Sequence, residues 1–533
     1  MINFLKWLPA LATALAMLLA QRSLMHDFQL ESYQFPGYFR TLRRNWKRAL
    51  LPGVTLAAYL TLLYLAYRSV DRMLDMSVGK ILLALVNAAL AVAGGWWCRS
   101  IFQQKKAKKP FVVTMRVKRT YIVMGVVYTL LCTPIALLTK VYFCGLPLLL
   151  PLWVALGGLL AWPIEKLVSE MYFRDAQKKL AARPDIIKIG ITGSYGKTSV
   201  KFILGTILQE KYQTLITPSS FNTPMGVTKI IRERLTPATQ VFVAEMGARH
   251  VGDIKELCRL VHPRYGVLTS VGPQHLDTFH TLERIKNTKY ELMDAVPADG
   301  CCFFPDDGAI CRELYDRTEK EKRLCCLHYS PDADVWATDV TVSSMGSRFV
   351  LHTSAEEIAC ETRLLGEHNI QNILLAATVA LHLGLTMRQV ARGISKLQPV
   401  EHRLQLIPSP GITIIDDAFN SNPKGAEAAV KVLGAFQARR IIITPGMVEL
   451  GGQEAAFNRE FGRKICGNAD IAILVGKKHT QPIAEGLLAA GFLQGNLHVV
   501  ASLDEATALL RQIGRTGDIA MFENDLPDHY SET

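Results

Sequence analysis

Apolar and polar positions divide this chain into two halves with different periodicities. Up to about residue 164 the apolar residues come in long runs: Phe4–Ala20, Leu50–Tyr67, Ile81–Trp97, Tyr121–Thr139 and Phe143–Trp162. Each approaches the roughly 20 residues that cross a bilayer as a helix. After a linker at 165–184 the runs shorten and alternate. Ile186–Ile191 is β-branched and strand-like, and Val200, Ile203, Leu204 and Leu208 then recur at helical spacing. Further strands are predicted at Val241–Ala244, Tyr265–Val271, Ile412–Ile415, Arg440–Thr444, Ile471–Val475 and Leu497–Val500, with helical stretches such as Ala426–Phe436 between them. The expected architecture is an α-helical multi-span membrane domain (1–164) followed by doubly wound α/β structure. The second half divides into a central P-loop domain (185–398) and a Rossmann-like C-terminal domain (399–533).

Charge sharpens the first half. The 533 residues carry a net charge of +13, but Met1–Leu180 alone holds 23 Lys/Arg against 7 Asp/Glu, leaving the remainder near −3. The basic residues cluster between the apolar runs, at Arg40, Arg43, Arg44, Lys47 and Arg48, and again at Arg99, Lys105, Lys106, Lys108, Lys109, Arg116, Lys118 and Arg119. Positive loops stay on the cytoplasmic side. The expected topology therefore has the N-terminus outside, five spans, and the second half in the cytoplasm beneath a bacterial membrane. A nucleic-acid partner fits poorly with long uncharged apolar runs. The last four runs carry no acidic or histidine residue, which disfavours an ion-coupled transporter. Eleven cysteines without CxxC spacing read as reduced thiols with no zinc site.

The chemistry concentrates at Gly193-Ser194-Tyr195-Gly196-Lys197-Thr198-Ser199, between the first strand of the second half and its helix. A glycine turn there aims backbone N–H groups at phosphates, a lysine adds a point charge, and a threonine hydroxyl can reach Mg²⁺. The full GxxxxGK[ST] pattern is not met, because Ile191 stands where its first glycine would be. Glu245 and His275 follow predicted strands, where ligands of parallel sheets gather. Taken singly, Glu245 also reads as a capping or surface residue and His275 as a solvated loop histidine.

In order along the chain stand Gly193–Thr198, Phe221-Asn-Thr-Pro-Met-Gly226, Glu245-Met-Gly-Ala248, His275-Leu-Asp277, Thr288-Lys-Tyr-Glu-Leu292, Gly366-Glu-His-Asn-Ile-Gln-Asn372, His402-Arg403, Asp416–Pro423 and Pro445–Gly451. Together they resemble the Mur ligase family, and within it the F-type branch, over about three fifths of the chain. The resemblance implies an ATP- and Mg²⁺-dependent amide ligase of peptidoglycan precursor synthesis working through an acyl phosphate. It places Lys197 and Thr198 on the β- and γ-phosphates, Glu245 and His275 on magnesium, and Asn369 and Asn372 on adenine. Arg403 and Asp417 would close on ATP from the C-terminal domain, and Asn222, Thr223, Asn420 and Asn422 would meet substrate. Lys289 would be a carbamylated lysine serving as a metal ligand.

Plainer readings stand beside these. Lys289 can pair with Glu283 or Glu291, Asn369 and Asn372 can cap a helix beginning near Ile370, and Asp416–Pro423 can be an ordinary turn. The family's uridine-gripping first domain has no room here, since about twenty residues separate the last apolar run from the P-loop strand. A membrane-held or lipid-linked precursor is the expected partner, with poly-γ-glutamate synthase-like ligation or a non-catalytic scaffold as alternatives. The acidic closing stretch Phe522–Tyr530 receives no role.

Overall fold

A computed structural model describes residues 2–73, 77–103, 110–138, 142–219, 221–343, 346–419, 421–448 and 450–525. The chain forms two compact units, Met1–Glu170 and Met171–Thr533.

The first unit is helical. Three helices are long and apolar enough to cross a membrane: Trp46–Asp71, Val78–Ile101 and the 38-residue Cys144–Ala181. A fourth candidate is a pair, Trp7–Ala20 and Arg22–Leu30, bent by 43°. Against the five expected spans, three of the described helices, or four with the bent pair, have the length and hydropathy to cross a membrane. The expected span at Tyr121–Thr139 lies in the helix Met115–Leu138, whose described residues do not reach the same length-and-hydropathy measure. Arg116, Lys118 and Arg119, expected in a loop, stand in the first turns of that helix. There Arg119 makes two hydrogen bonds to Glu165, at 2.6 and 2.8 Å. Lys105, Lys106, Lys108 and Lys109 lie outside the described residues.

The 165–184 stretch, expected as a linker, is mostly helix, because Leu150–Ala181 runs through it without interruption. Between Glu165 and Ala181 there is no glycine or proline, and strong helix formers predominate. Phe173, Ala176 and Leu180, spaced for one helical face, are buried in the core of the second unit.

In the second unit the central sheet contains β1 (Ile187–Thr192), β2 (Thr214–Ile216), β3 (Val241–Glu245), β4 (Tyr265–Leu268), β5 (Cys301–Pro305), β6 (Lys322–Cys326), β7 (Val335–Ser343), β8 (Gly346–Thr353) and β9 (Glu357–Thr362). Their order is β2-β3-β1-β4-β5-β6-β7-β8-β9. The strands pair in parallel through β7, and β7, β8 and β9 pair antiparallel. Side-chain alternation serves both faces. Val241 and Val243 pack toward the helices Lys197–Leu208 and Glu367–His382, while Phe242 and Ala244 pack toward the helix Asp253–Val261.

A second sheet follows, of β10 (Gln405–Ser409), β11 (Ile412–Asp417), β12 (Arg440–Thr444), β13 (Ile471–Val475), β14 (Leu497–Val500) and β15 (Ile519–Glu523). Its order is β10-β11-β15-β12-β13-β14, with only the edge pair β10–β11 antiparallel among the described strands. Both α/β domains agree with the expectation. The strands β2, β5 to β10 and β15 were not anticipated.

Candidate active site

The turn between β1 and the helix Lys197–Leu208 requires two glycines in left-handed backbone, Gly193 with φ +152° and Gly196 with φ +79°. A Cβ on Gly193 would stand 2.1 Å from Thr269 Oγ1, and one on Gly196 would stand 2.9 Å from Asn372 Oδ1. The turn is therefore wedged between the loop after β4 and the helix Glu367–His382. Hydroxyls of that loop hold it. Thr269 Oγ1 and Ser270 Oγ donate to the Tyr195 carbonyl, Ser270 Oγ accepts from Tyr195 N at 3.0 Å, and Ser194 Oγ donates to the Gly272 carbonyl at 2.9 Å. Thr269 and Ser270 were expected inside a strand. The strand ends at Leu268, and these side chains serve the turn instead.

Glu245, last residue of β3, organises the next layer and is 1% exposed. Its Oε1 accepts from Thr198 Oγ1 at 3.2 Å and from Asn222 Nδ2 at 3.0 Å, while its Oε2 pairs with Lys201 Nζ at 3.0 Å. Burial excludes the surface reading of Glu245. Lys201 was missed, although a lysine four residues after Lys197 on the apolar face of a helix was a visible signal. Burial lowers the pKa of Lys201, and the Glu245 charge opposes that shift.

Two more lysines share the region. Lys197 Nζ donates to the carbonyls of Gly193 at 2.5 Å and Ser194 at 3.0 Å. Burial pulls its pKa down to about 8, against the attraction of Glu245, and the Arg403 charge lowers it further. Lys289, on the helix Leu282–Ala295, is 2% exposed. Its pKa is pushed well below the ordinary value, first by burial and next by repulsion from Lys197. Among the described residues no carboxylate forms an ion pair with Lys289. Glu283 is taken by Lys286 at 2.9 Å, and Glu291 accepts from Gly252 N and Lys255 N at 3.0 and 2.8 Å.

His275 stands in left-handed backbone, φ +53°, at the start of the short helix Leu276–Phe279, beyond the loop that brackets the phosphate turn. Asn369 lies inside the helix Glu367–His382 rather than capping it, and its Nδ2 donates to the Leu365 carbonyl at 2.9 Å. Asn372 lies one turn on, beside Gly196. Two expected substrate residues serve as helix caps: Thr223 Oγ1 accepts from Gly226 N at 3.3 Å, and Asn422 Oδ1 accepts from Gly425 N at 2.8 Å. Asn420 lies outside the described residues, and Ser199 follows Thr198 in the first turn of its helix.

The C-terminal domain contributes Arg403, whose guanidinium lies 4.5 Å from the Phe419 ring and feels the charges of Asp417 and Glu245. Asp417 and Glu523 end the neighbouring strands β11 and β15. Burial, and then the Glu523 charge, raises the pKa of Asp417 to about 8. Glu523 is raised to about 7 by burial, opposed by hydrogen bonds from Ser421 and Thr444. Glu523 was read as part of a tail without chemistry. It is the buried last residue of β15, paired in register with Asp417.

The donors around Thr198 and Glu245 are a hydroxyl and a carboxylate, hard oxygens that suit Mg²⁺. The turn beside them offers amides and a lysine to phosphates. The residues present fit a magnesium–triphosphate complex.

Comparison with known proteins points the same way. The Mur ligase middle domain matches residues 191–380, and the domain described as "Mur ligase, glutamate ligase domain" matches residues 402–522. The UDP-N-acetylmuramoyl-tripeptide–D-alanyl-D-alanine ligase of Mycobacterium tuberculosis is 32% identical over 356 residues, 62% of this chain and 69% of that protein. The Escherichia coli protein of the same name is 30% identical over 305 residues, 56% of this chain and 67% of its own length. The crystal structure of MurF from Acinetobacter baumannii superposes with a TM-score of 0.61 at 25% identity, covering 67% of this chain and 77% of that one. With the phosphate turn, the Glu245 group and both α/β domains in place, this chain belongs to the Mur ligase family, ATP-dependent ligases that form carbon–nitrogen bonds.

Proposed function

We propose that the chain is a membrane-anchored amide ligase of F type that joins an amine, D-alanyl-D-alanine or a close analogue, to a carboxylate of a cell-envelope precursor. The observation that carries this reading is the Thr198–Glu245–Lys201 group beside the glycine turn, with the depressed lysines Lys197 and Lys289 next to it. Thr198, Glu245 and His275 would hold magnesium, which when bound offsets the repulsion between two anions, carboxylate and triphosphate. Lys197 places a cation on the transferring phosphate. The carboxylate oxygen attacks the γ-phosphorus as the bond to ADP breaks. The amine nitrogen then attacks the acyl carbon, loses a proton, and phosphate leaves.

Lys289, buried with no acid paired to it among the described residues, suits carbamylation. Reaction of its neutral amine with CO₂ releases a proton and leaves an anion, which relieves the repulsion from Lys197. Asn369 and Asn372 flank the turn on the adenine side, and Arg403 and Asp417 close from the C-terminal domain. Asn222, Thr223 and Asn422 belong to the substrate side.

Three helices of sufficient length and hydropathy support the anchor. With the bent pair and the helix Met115–Leu138 counted beside those three, five spans with basic inner loops put the ligase unit on the cytoplasmic face and the N-terminus outside. A membrane-held ligase meets a lipid-linked precursor at raised effective concentration.

The test uses full-length protein in lipid nanodiscs with ATP, D-alanyl-D-alanine and a precursor labelled with ¹⁸O in its carboxylate. Amide product with one ¹⁸O transferred to phosphate is expected. Product without label in phosphate overturns the acyl-phosphate step, and absence of amide with both UDP-linked and lipid-linked precursors overturns the substrate class.

A further inference from the structure

At the opposite end of β5 from the phosphate site, three residues distant in sequence converge. Cys301 begins β5, Glu321 immediately precedes β6, and His382 ends the helix Glu367–His382. One ligand atom from each lies within 4.8 Å of the other two. Strand register explains the meeting. Cys302 pairs with Lys322, so Cys301 and Glu321 occupy adjacent positions on one face of the sheet, the face covered by the helix that carries His382. The Cys301 thiol is fully buried, whereas Glu321 is exposed, its Oε1 accepting from Arg323 at 2.8 Å in a surface pair that metal binding would exchange. The His382 ring is held edge-on against Tyr265 and Phe303, with centroids at 5.5 and 5.3 Å.

We infer that Cys301, Glu321 and His382 form a zinc site, with water as fourth ligand. Thiolate, imidazole and carboxylate are the donor types of a tetrahedral zinc centre that keeps one open position. Binding displaces the thiol proton to solvent and forms the zinc–sulfur bond. The dication then balances thiolate and carboxylate, so the half-buried cluster is neutral. Ligands at about 2.0–2.3 Å from zinc stand closer to one another than 4.8 Å, and Glu321, the exposed member, is the one that moves. The metal would pin two strands to the far end of the helix whose first turns carry Asn369 and Asn372. This inference does not depend on which substrate the ligase uses.

The experiment titrates Co²⁺ into full-length, chelator-stripped protein in detergent, without nucleotide. One equivalent giving a near-ultraviolet thiolate-to-cobalt band and four-coordinate visible bands is expected, with Zn²⁺ displacing the cobalt. Cys301→Ser should abolish the thiolate band. Glu321→Gln, at an exposed position, and His382→Phe, which keeps the aromatic packing, should each weaken binding at least tenfold. Cys302→Ser, altered on the opposite face, should keep the band. Absence of the band in the wild-type protein, or its persistence in Cys301→Ser, overturns the site. So does unchanged affinity in Glu321→Gln, a variant whose folding the wild-type melting profile verifies.

Discussion

Lys201 and Glu245 form an ion pair at 3.0 Å in which neither side chain is more than 1% exposed. Lys201 also donates to the Ser219 carbonyl, and Glu245 accepts from Thr198 and Asn222. The pair thus ties the phosphate-turn helix to the end of β3. Breaking a buried pair from one side leaves an uncompensated charge and costs about 3–5 kcal/mol, whereas replacing both partners by apolar groups is often neutral. Lys201→Met should therefore lower the unfolding midpoint markedly, and Lys201→Met with Glu245→Leu should recover most of the loss. Neither variant should ligate, because the carboxylate beside Thr198 is freed to the wrong charge balance in one and absent in the other. Denaturant unfolding read alongside product formation separates the two effects.

Lys197→Ala should abolish ATP-dependent turnover while leaving the fold intact. Among the described residues the Lys197 ammonium donates to carbonyls of its own turn, at Gly193 and Ser194, so its loss removes phosphate contacts and little packing. The check is a turnover assay paired with circular dichroism. Undiminished turnover would end the phosphate assignment.

Lys289→Ala should reduce ligation by at least tenfold, with partial recovery on adding acetate or formate. A short carboxylate can enter the space vacated beside Lys197 and restore an anionic oxygen there. Wild-type activity should also fall in CO₂-depleted buffer and return with bicarbonate. Full activity of the variant without any rescue agent refutes the role.

Glu523→Gln should flatten the pH dependence of stability. Glu523 is buried, and its pKa is raised from 4.5 to about 7 in the folded protein. A raised folded pKa contributes stability that is complete below the unfolded value and is lost as pH rises through the folded one. Between pH 4.5 and 7 the wild type should lose up to about 3 kcal/mol from this group. The variant carries no proton to lose, so its midpoint should change less across that window. Thermal melts at several pH values, compared between the two proteins, provide the measurement.

A truncated chain beginning at Met171 should be soluble and fold, whereas one beginning at Arg183 should aggregate or melt early. The difference is Phe173, Ala176 and Leu180, whose burial in the ligase core would be lost. The large apolar side chains among them contribute about 1.5–3 kcal/mol each. On the proposed function, the Met171 protein should keep activity on a soluble precursor and lose most of its advantage on a lipid-linked one. Sedimentation, melting and product assays distinguish these outcomes.

Local patterns determined much of this protein. The short apolar strand Val241–Ala244, the exact ends of β12, β13 and β14, and the Gly193–Thr198 turn were legible because strand propensity and turn chemistry act over a few residues. The long apolar runs were legible as helices, yet their number was not, since where one helix ends depends on what packs beside it. The run through 165–181 shows this, continuing as helix where a linker was expected. What only the tertiary structure decided are groups assembled from distant strand ends. Lys201 gains its meaning from Glu245, Thr269 and Ser270 from Tyr195, and Glu523 from Asp417, one strand over and 106 positions along the chain. Parallel strands joined by helices bring like ends together, carboxyl beside carboxyl and amino beside amino, whatever the sequence separation. Residue spacing carries no trace of that convergence, which is why a chain with no CxxC pattern can still gather Cys301, Glu321 and His382 in one place.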